Sequence, residues 1–295
     1  MTFMKKGTAG TLALYLLPGL AIYTLVSVVP IIEAGYLSFF NGIGLRYKTY
    51  IGFQNYREIV SSLEFWSALR NNILYVLFCI VGQVGIGFML TILLVDKRIR
   101  FTGLFRGSMF VPCILAPVVI GFIGLMLYNS RFGLINDAAR RLALNFLVQN
   151  WLGDPKIVVF ALIFLHVWQW IGYYVVIFTA AYQGIPEDVL EASEIEGAVG
   201  AKKTRYIIAP LLWDSVKLSI MLCIAGTMKV FDQIFIMTGG GPGKASQVLT
   251  IYMYNNTFTN FRMNFGSAIS IIILLTSLIL IIGSRRLLTR GQDLT

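Results

Sequence analysis

The sequence of 295 residues is poor in the residue types that build most catalytic and metal centres. It has one histidine, His166, and three cysteines, Cys79, Cys113 and Cys223, and all four lie in apolar segments. A metal cluster or a Ser/His/Asp arrangement would depend on His166 alone, which has no carboxylate near it in sequence. We therefore predict that the chain has no catalytic residues, binds no metal and forms no disulfide.

Charged residues are also scarce. They make up 13% of the chain, whereas hydrophobic residues make up 57%, and the mean hydropathy is +0.76. A soluble domain is apolar over about half of its residues even when glycine is counted, so this composition predicts a polytopic membrane protein surrounded by lipid. The net charge of +10 comes from basic residues scattered among short loops. Without an aromatic-interleaved basic patch, we predict no nucleic-acid partner.

The sequence contains no phosphate-binding loop of the GxxxxGK[ST] type. Residues 239–245 come near to it, but Thr238 stands where the first glycine belongs and Ala245 where a serine or threonine belongs. We therefore predict that this chain binds no ATP through such a loop and holds no cofactor of its own. The glycines instead predict a tight turn.

Six apolar segments are long enough to cross a bilayer, which takes about 20 residues of helix. They predict an all-α membrane fold of one domain over residues 1–295, with both termini on the same side. The basic residues are densest in the short loops on that side, which favours cytoplasmic termini. The first segment is over-long and contains Pro18 and Pro30, so we expect a kink or an interfacial extension there. The six predicted spans cover approximately residues 11–39, 72–95, 104–128, 157–182, 213–238 and 266–288.

Residues 184–212, which we call the charged loop, interrupt the apolar pattern. Pro186 and the two carboxylates that follow it predict a helix start, because proline suits the first turn and anions suit the positive end of the helix dipole. Gly197 and Gly200 predict a sharp turn, and a basic segment after them predicts a second short helix. Pro210 then redirects the chain. We predict two short helices outside the bilayer.

The charged loop resembles the EAA loop of permease subunits in bacterial binding-protein-dependent ABC importers. The resemblance lies in residues 191–198, which read EASEIEGA, and in Pro210. Residues 231–232 and 237–243, which read FD and MTGGGPG, resemble the carbohydrate-uptake branch of that family. The chain departs from the family pattern at Ser193, at Glu196 and at Thr204, where the family has alanine, aspartate and an aromatic residue. Tyr206 is a candidate for the missing ring.

The resemblance implies a permease subunit of the inner membrane that imports a carbohydrate. It implies a second, related permease subunit, an extracytoplasmic solute-binding protein, and a cytoplasmic ATPase dimer that holds ATP and Mg²⁺. The charged loop would be the coupling helix that docks on this ATPase. The residues that we assign to the coupling loop are Glu191, Ala192, Ser193, Glu196, Gly197, Ala198, Tyr206 and Pro210.

His166, Gln169, Trp170 and Tyr173 follow an i, i+3, i+4, i+7 pattern in the fourth predicted span and therefore share one helix face. Polar groups at this depth in a membrane are costly unless they face a wet cavity or the interior of a helix bundle. Aromatic faces beside hydrogen-bonding groups suit a sugar. The four residues are thus candidates for a substrate path, and hydrogen bonding between helices is the alternative.

Lys229 and Asp232 are three residues apart in the fifth predicted span, with Gln233 adjacent. We predict that the two charges pair on one helix face, either as a structural ion pair or as part of the substrate path. We also assign Asp232 and Gln233 to the candidate substrate path. The carboxylates within the spans, among them Asp232 and Glu33, are few for a proton relay. An ion-coupled secondary transporter of a small polar solute is nevertheless the alternative function.

Overall fold

The computed structural model describes residues 6–42, 49–95 and 100–289. The chain termini, for which we predict a cytoplasmic position, lie outside these ranges. The described residues form an all-α fold with one two-stranded β-ribbon, as predicted apart from the ribbon. The α-helices are α1 (Lys6–Tyr23), α2 (Val29–Leu37), α3 (Gln54–Ser61), α4 (Leu63–Cys79), α5 (Ile86–Leu94), α6 (Thr102–Ile114), α7 (Pro117–Leu127), α8 (Leu134–Arg141), α9 (Val158–Gln183), α10 (Glu187–Ile195), α11 (Ala201–Lys203), α12 (Ala209–Leu211), α13 (Trp213–Thr227), α14 (Asp232–Met237), α15 (Leu249–Tyr254) and α16 (Met263–Thr289).

Shorter helical segments continue several of these helices. π-Helical turns cover Thr24–Val28, Ile80–Gly85, Thr204–Ile208 and Asn255–Thr259, and a 3₁₀ turn covers Asn145–Leu147. The first π turn lies just before Pro30 and interrupts the regular α-helix of the first span. Proline has no N–H to donate to the preceding turn, which disrupts the regular α-helical bonding there.

Four helices are long and apolar enough to cross a membrane, namely Leu14–Leu37, Leu63–Leu94, Val158–Gln183 and Met263–Thr289. Two bent helix pairs raise the number to six when each counts as one span. The predicted fourth and sixth spans agree with the helices within a few residues. The second begins at Leu63 rather than at residue 72, because the polar first turns of α4 continue directly into its apolar part.

The third predicted span is not a straight helix. Thr102–Ile114 and Pro117–Leu127 meet at an angle of 101°. Leu115 and Ala116 between them have extended backbone, with ψ of 140° and 138°. The Pro117 ring disfavours helical backbone at the residue before it, which explains why the helix ends here.

The fifth predicted span is interrupted as well. Helix α13 ends at Thr227 and α14 begins at Asp232, so residues 228–231 between them form no regular helix. Ala201–Leu211 and Trp213–Thr227, the pair that leads into this region, meet at 71°. Helix α14 packs against α7. The second halves of the two broken segments therefore support each other.

The described chain clusters into two compact units. The larger comprises residues 63–252 and 275–295, and its centre is α9, which packs against α4, α5, α6, α13 and α14. Glycines permit the closest approaches: a Cβ on Gly82 would lie 2.8 Å from the Val167 side chain, and a Cβ on Gly172 would overlap the carbonyl of Met109. Helix α9 is thus closely packed against neighbouring helices on several of its sides.

The smaller unit comprises residues 1–62 and 253–274. Its β-ribbon pairs β1 (Phe40–Asn41) with β2 (Thr49–Tyr50) in antiparallel register, Phe40 opposite Tyr50. Asn55 donates to the carbonyls of Ser38 at 2.8 Å and Phe40 at 3.0 Å, which fixes α3 beside the ribbon.

Candidate functional site

A cavity of about 310 Å³ lies along α9 in the larger unit. All six residues that the sequence assigned to a substrate path line it: His166, Gln169, Trp170, Tyr173, Asp232 and Gln233. The helical spacing of the first four brings them to one face of α9, and the break after α13 brings the last two opposite them. Gln83, Pro117 and Cys223 also line the cavity, and none of them was predicted to belong to the substrate path.

Hydrogen bonds join the two sides of the cavity. His166 Nδ1 lies 3.2 Å from Gln233 Oε1, and Gln83 donates from Nε2 to the His166 carbonyl at 3.3 Å. The Cys223 thiol is 3.5 Å from Gln83 Oε1. His166 is therefore a buried, hydrogen-bonded residue that connects α9 to α14.

Two buried amide groups at the cavity have no hydrogen-bond partner among the described residues. They are Nε2 of Gln169 and Nε2 of Gln233, whose side chains are 1% and 2% exposed. An unpaired buried donor is unfavourable by about 1–3 kcal/mol, so proteins seldom leave one without a function or a ligand to satisfy it. Both donors belong to residues that line the cavity. The two nitrogen atoms are covered by neighbouring protein atoms in this conformation, so a ligand with acceptor oxygens would satisfy them once the amide side chains rotate towards it.

Aromatic rings form the adjoining part of the wall. Trp170 and Tyr173 are half-buried, and their ring centroids are 6.2 Å apart at an interplanar angle of 88°. The His166 ring lies 6.4 Å from that of Trp170. The cavity thus has aromatic surface beside amide side chains, a combination that suits hydroxylated ligands with apolar faces.

The predicted ion pair between Lys229 and Asp232 is absent among the described residues. Lys229 lies in the break, and Asp232 is the first residue of α14, so the two do not share the helix face that the prediction required. Both side chains are exposed and line the cavity. The cavity therefore carries one charge of each sign.

The glycine-rich segment 238–247 forms the predicted tight turn, with positive φ at Gly239, Gly240 and Gly243. The contacts that hold this turn were not predicted. Glu64 at the start of α4 accepts from Lys244 Nζ at 2.7 Å and from Gln247 Nε2 at 2.9 Å. These contacts join residues about 180 positions apart in sequence and fix the turn to α4.

The charged loop folds as two short helices, as predicted. Helix α10 begins directly after Pro186 and ends in a glycine cap: Gly197, at φ +82°, donates to Glu194 O at 3.0 Å, and Ala198 donates to Ser193 O at 2.9 Å. These two bonds define a Schellman motif. A salt bridge of 2.7 Å from Lys203 Nζ to Glu194 Oε1 connects the second short helix to the first.

Most residues assigned to the coupling loop lie at the surface. Ser193 is the exception, since it is buried and its hydroxyl donates to Leu190 O at 2.7 Å. Two large apolar side chains are exposed to solvent among the charged residues of this loop: Ile195 is 88% exposed and Tyr206 is 66% exposed. Thr204 donates to Gly200 O at 3.2 Å. The exposed members of the set are Glu191, Ala192, Glu196, Gly197, Tyr206 and Pro210, and Ala198 is half-buried.

Residues 83–292 match the family of binding-protein-dependent transport system inner membrane components. The chain belongs to this family. It is 33% identical to the probable ABC transporter permease protein YurN of Bacillus subtilis, over 95% of this chain and 96% of that relative. It is 29% identical to the probable starch degradation products transport system permease protein AmyD of Thermoanaerobacterium thermosulfurigenes, over 89% of this chain and 88% of the relative.

A solved structure supports the fold of this permease. The crystal structure of a bacterial ABC transporter involved in the import of the acidic polysaccharide alginate matches with a TM-score of 0.83 and 16% identity, over 96% of both chains. This likeness shows the fold alone. The family match and the permease relatives show that the chain is a multi-pass membrane protein and a transport subunit of an ABC importer. Membership of this family disfavours the ion-coupled secondary transporter.

Proposed function

We propose that this permease carries a neutral carbohydrate through the cavity beside α9. The observation that supports this most directly is that Trp170 and Tyr173 line the same cavity as Gln169 and Gln233, whose amide Nε2 groups have no hydrogen-bond partner among the described residues. Sugars offer apolar C–H faces to aromatic rings and oxygen acceptors to amides. The name of its relative AmyD, a probable permease protein of a starch degradation products transport system, agrees with this substrate class.

We further propose that the charged loop docks on a separate ATPase dimer, which binds the ATP and Mg²⁺. The exposed apolar side chains of Ile195 and Tyr206 support this proposal, because they stand on a segment whose backbone is fixed by a glycine cap and a salt bridge. Nucleotide-dependent movement of the ATPase would shift the loop only if it binds the loop with different affinity in its two states. Residues 1–295 would act as one permease domain of the inner membrane with cytoplasmic termini, beside a second, related permease and an extracytoplasmic solute-binding protein.

Uptake by the complete transporter in proteoliposomes tests this function, with maltotriose as the first sugar. We expect ATP-dependent uptake that vanadate inhibits. Trp170→Ala should weaken it about two- to tenfold, since an aromatic contact contributes about 0.5–1.5 kcal/mol beyond its buried area. Trp168→Ala is the matched control, because Trp168 lies two residues away on α9, is 41% exposed and is outside the cavity lining.

Equal loss from both tryptophan variants would contradict the cavity as the route. Uptake driven by an ion gradient without ATP would contradict the proposed function as a whole.

A further inference from the structure

The interruption in the fifth span forms part of the cavity wall. Lys229, Val230 and Phe231 lie within it, Asp232 and Gln233 follow directly, and all five line the cavity. The backbone here is irregular, with Phe231 at φ −142° and ψ −64°. Because a break in a helix leaves its carbonyls without their usual N–H donors, something else must hold this segment in place.

One side chain from a distant helix supplies such a donor. Thr250, on α15, donates from its hydroxyl to the Val230 carbonyl at 2.5 Å. Both residues are buried, with 8% of Thr250 and 7% of Val230 exposed.

Thr250 is itself firmly anchored. The N–H of the preceding residue, Leu249, donates to Asn72 Oδ1 at 2.7 Å. Asn71 donates to the carbonyls of Ala245 and Gln247, each at 2.8 Å. Helix α4 thus fixes the segment that carries Thr250, and Thr250 in turn fixes the break.

We propose that Thr250 is a positioning residue for the cavity: its hydroxyl holds the break so that Asp232 and Gln233 face the ligand across from α9. Thr250 does not itself line the cavity. It acts through the backbone of Val230, three residues before Gln233. The consequence for substrate affinity rests on the proposed function, whereas the consequence for the backbone does not.

Three variants of the full-length permease in its complex test this role. Thr250→Val keeps the shape of the side chain and removes the hydroxyl, and Thr250→Ser restores the hydroxyl. Thr179→Val is the matched control, because Thr179 is equally buried at 7% exposure and its hydroxyl has no partner among the described residues. A valine that merely perturbs a buried site should act equally at both positions.

The first measurement is hydrogen–deuterium exchange of residues 228–235 in nanodiscs, followed by mass spectrometry. We expect about two- to tenfold faster exchange in Thr250→Val, as expected for the loss of one hydrogen bond. Thr250→Ser and Thr179→Val should exchange like the wild type. Unchanged exchange in Thr250→Val would overturn the proposal.

The second measurement is a fluorescence titration of the permease complex with maltotriose, without the solute-binding protein, which reports on the cavity through Trp170. Affinity should fall about two- to tenfold in Thr250→Val and return in Thr250→Ser. A role limited to folding would lower the yield and leave the affinity intact, and that result would overturn the proposal. If the wild type does not respond to maltotriose, the proposed function loses support, and the exchange experiment still decides the role of Thr250.

Discussion

The backbone of the charged loop gives a sharp prediction at Gly197. This residue has φ +82°, and a Cβ placed there would meet nothing within 4 Å. A substitution at Gly197 therefore causes no steric clash, and its only cost in the folded loop is the strain of a positive φ. Left-handed backbone is unfavourable for alanine by about 1–2 kcal/mol, which reduces the population of the observed loop roughly five- to thirtyfold.

If the observed loop is the form that docks on the ATPase, Gly197→Ala should weaken binding of the purified ATPase by up to that factor. Gly197→Asn should be affected much less, because asparagine adopts left-handed backbone more readily than other residues with a side chain. The assay is an equilibrium titration of labelled ATPase against the permease in nanodiscs, at constant permease concentration.

Gly200 provides a second test within the same loop. Its φ of +58° and ψ of −127° lie in the mirror image of the extended region, which only glycine adopts readily. Gly200→Asn should therefore weaken binding as strongly as Gly200→Ala. Binding of Gly197→Ala equal to that of the wild type, or weaker binding by Gly197→Asn than by Gly197→Ala, would refute this reasoning.

Two further predictions concern stability. Gly172→Ala should sharply lower the yield of folded protein, because its Cβ would overlap the Met109 carbonyl, whereas Gly107→Ala should be neutral since nothing lies within 4 Å of its Cβ; fluorescence-detected size-exclusion chromatography compares the two. The hydrogen bond and charge of Arg262 hold the pKa of Glu58 below its ordinary 4.5. This pair therefore stabilises the fold above that pH and loses its effect as the pH falls through the lowered pKa. Arg262→Gln should lower the melting temperature at pH 7, and the part of this effect that comes from Glu58 should shrink as the pH is lowered from 7, with a contribution of at most about 1 kcal/mol because the pair is half-exposed.

The sequence predicted features that depend on local spacing. The helical repeat from His166 to Tyr173 placed four polar and aromatic residues on one face of α9, and the structure brings them to one cavity. Pro186, Gly197 and Gly200 predicted a helix start and a turn, and these features lie where they were expected. Such predictions succeed because backbone preferences act within a few residues of each other.

The features that the sequence did not predict depend on contacts between distant residues. Glu64 and Lys244 are each unremarkable in sequence, and their contact exists only in the fold. The break that separates Lys229 from Asp232 was missed because residues 213–238 read as one continuous apolar segment. Pro117 was visible, but a proline alone does not distinguish a mild kink from the 101° bend that the structure has.

The broken fifth span and the polar cavity are best explained together. In a bilayer, irregular backbone is tolerated only where it is buried in protein or lines a water-filled space, since lipid offers no hydrogen bonds. The break meets this condition because residues 229–231 line the cavity, because Met228 is buried, and because Thr250 satisfies the Val230 carbonyl. A continuous helix would satisfy its own backbone but would place Lys229 and Asp232 one turn apart on a single face. The break separates these charges and turns Gln233 towards His166. The same interruption that removes helical hydrogen bonds therefore also places polar side chains at the cavity.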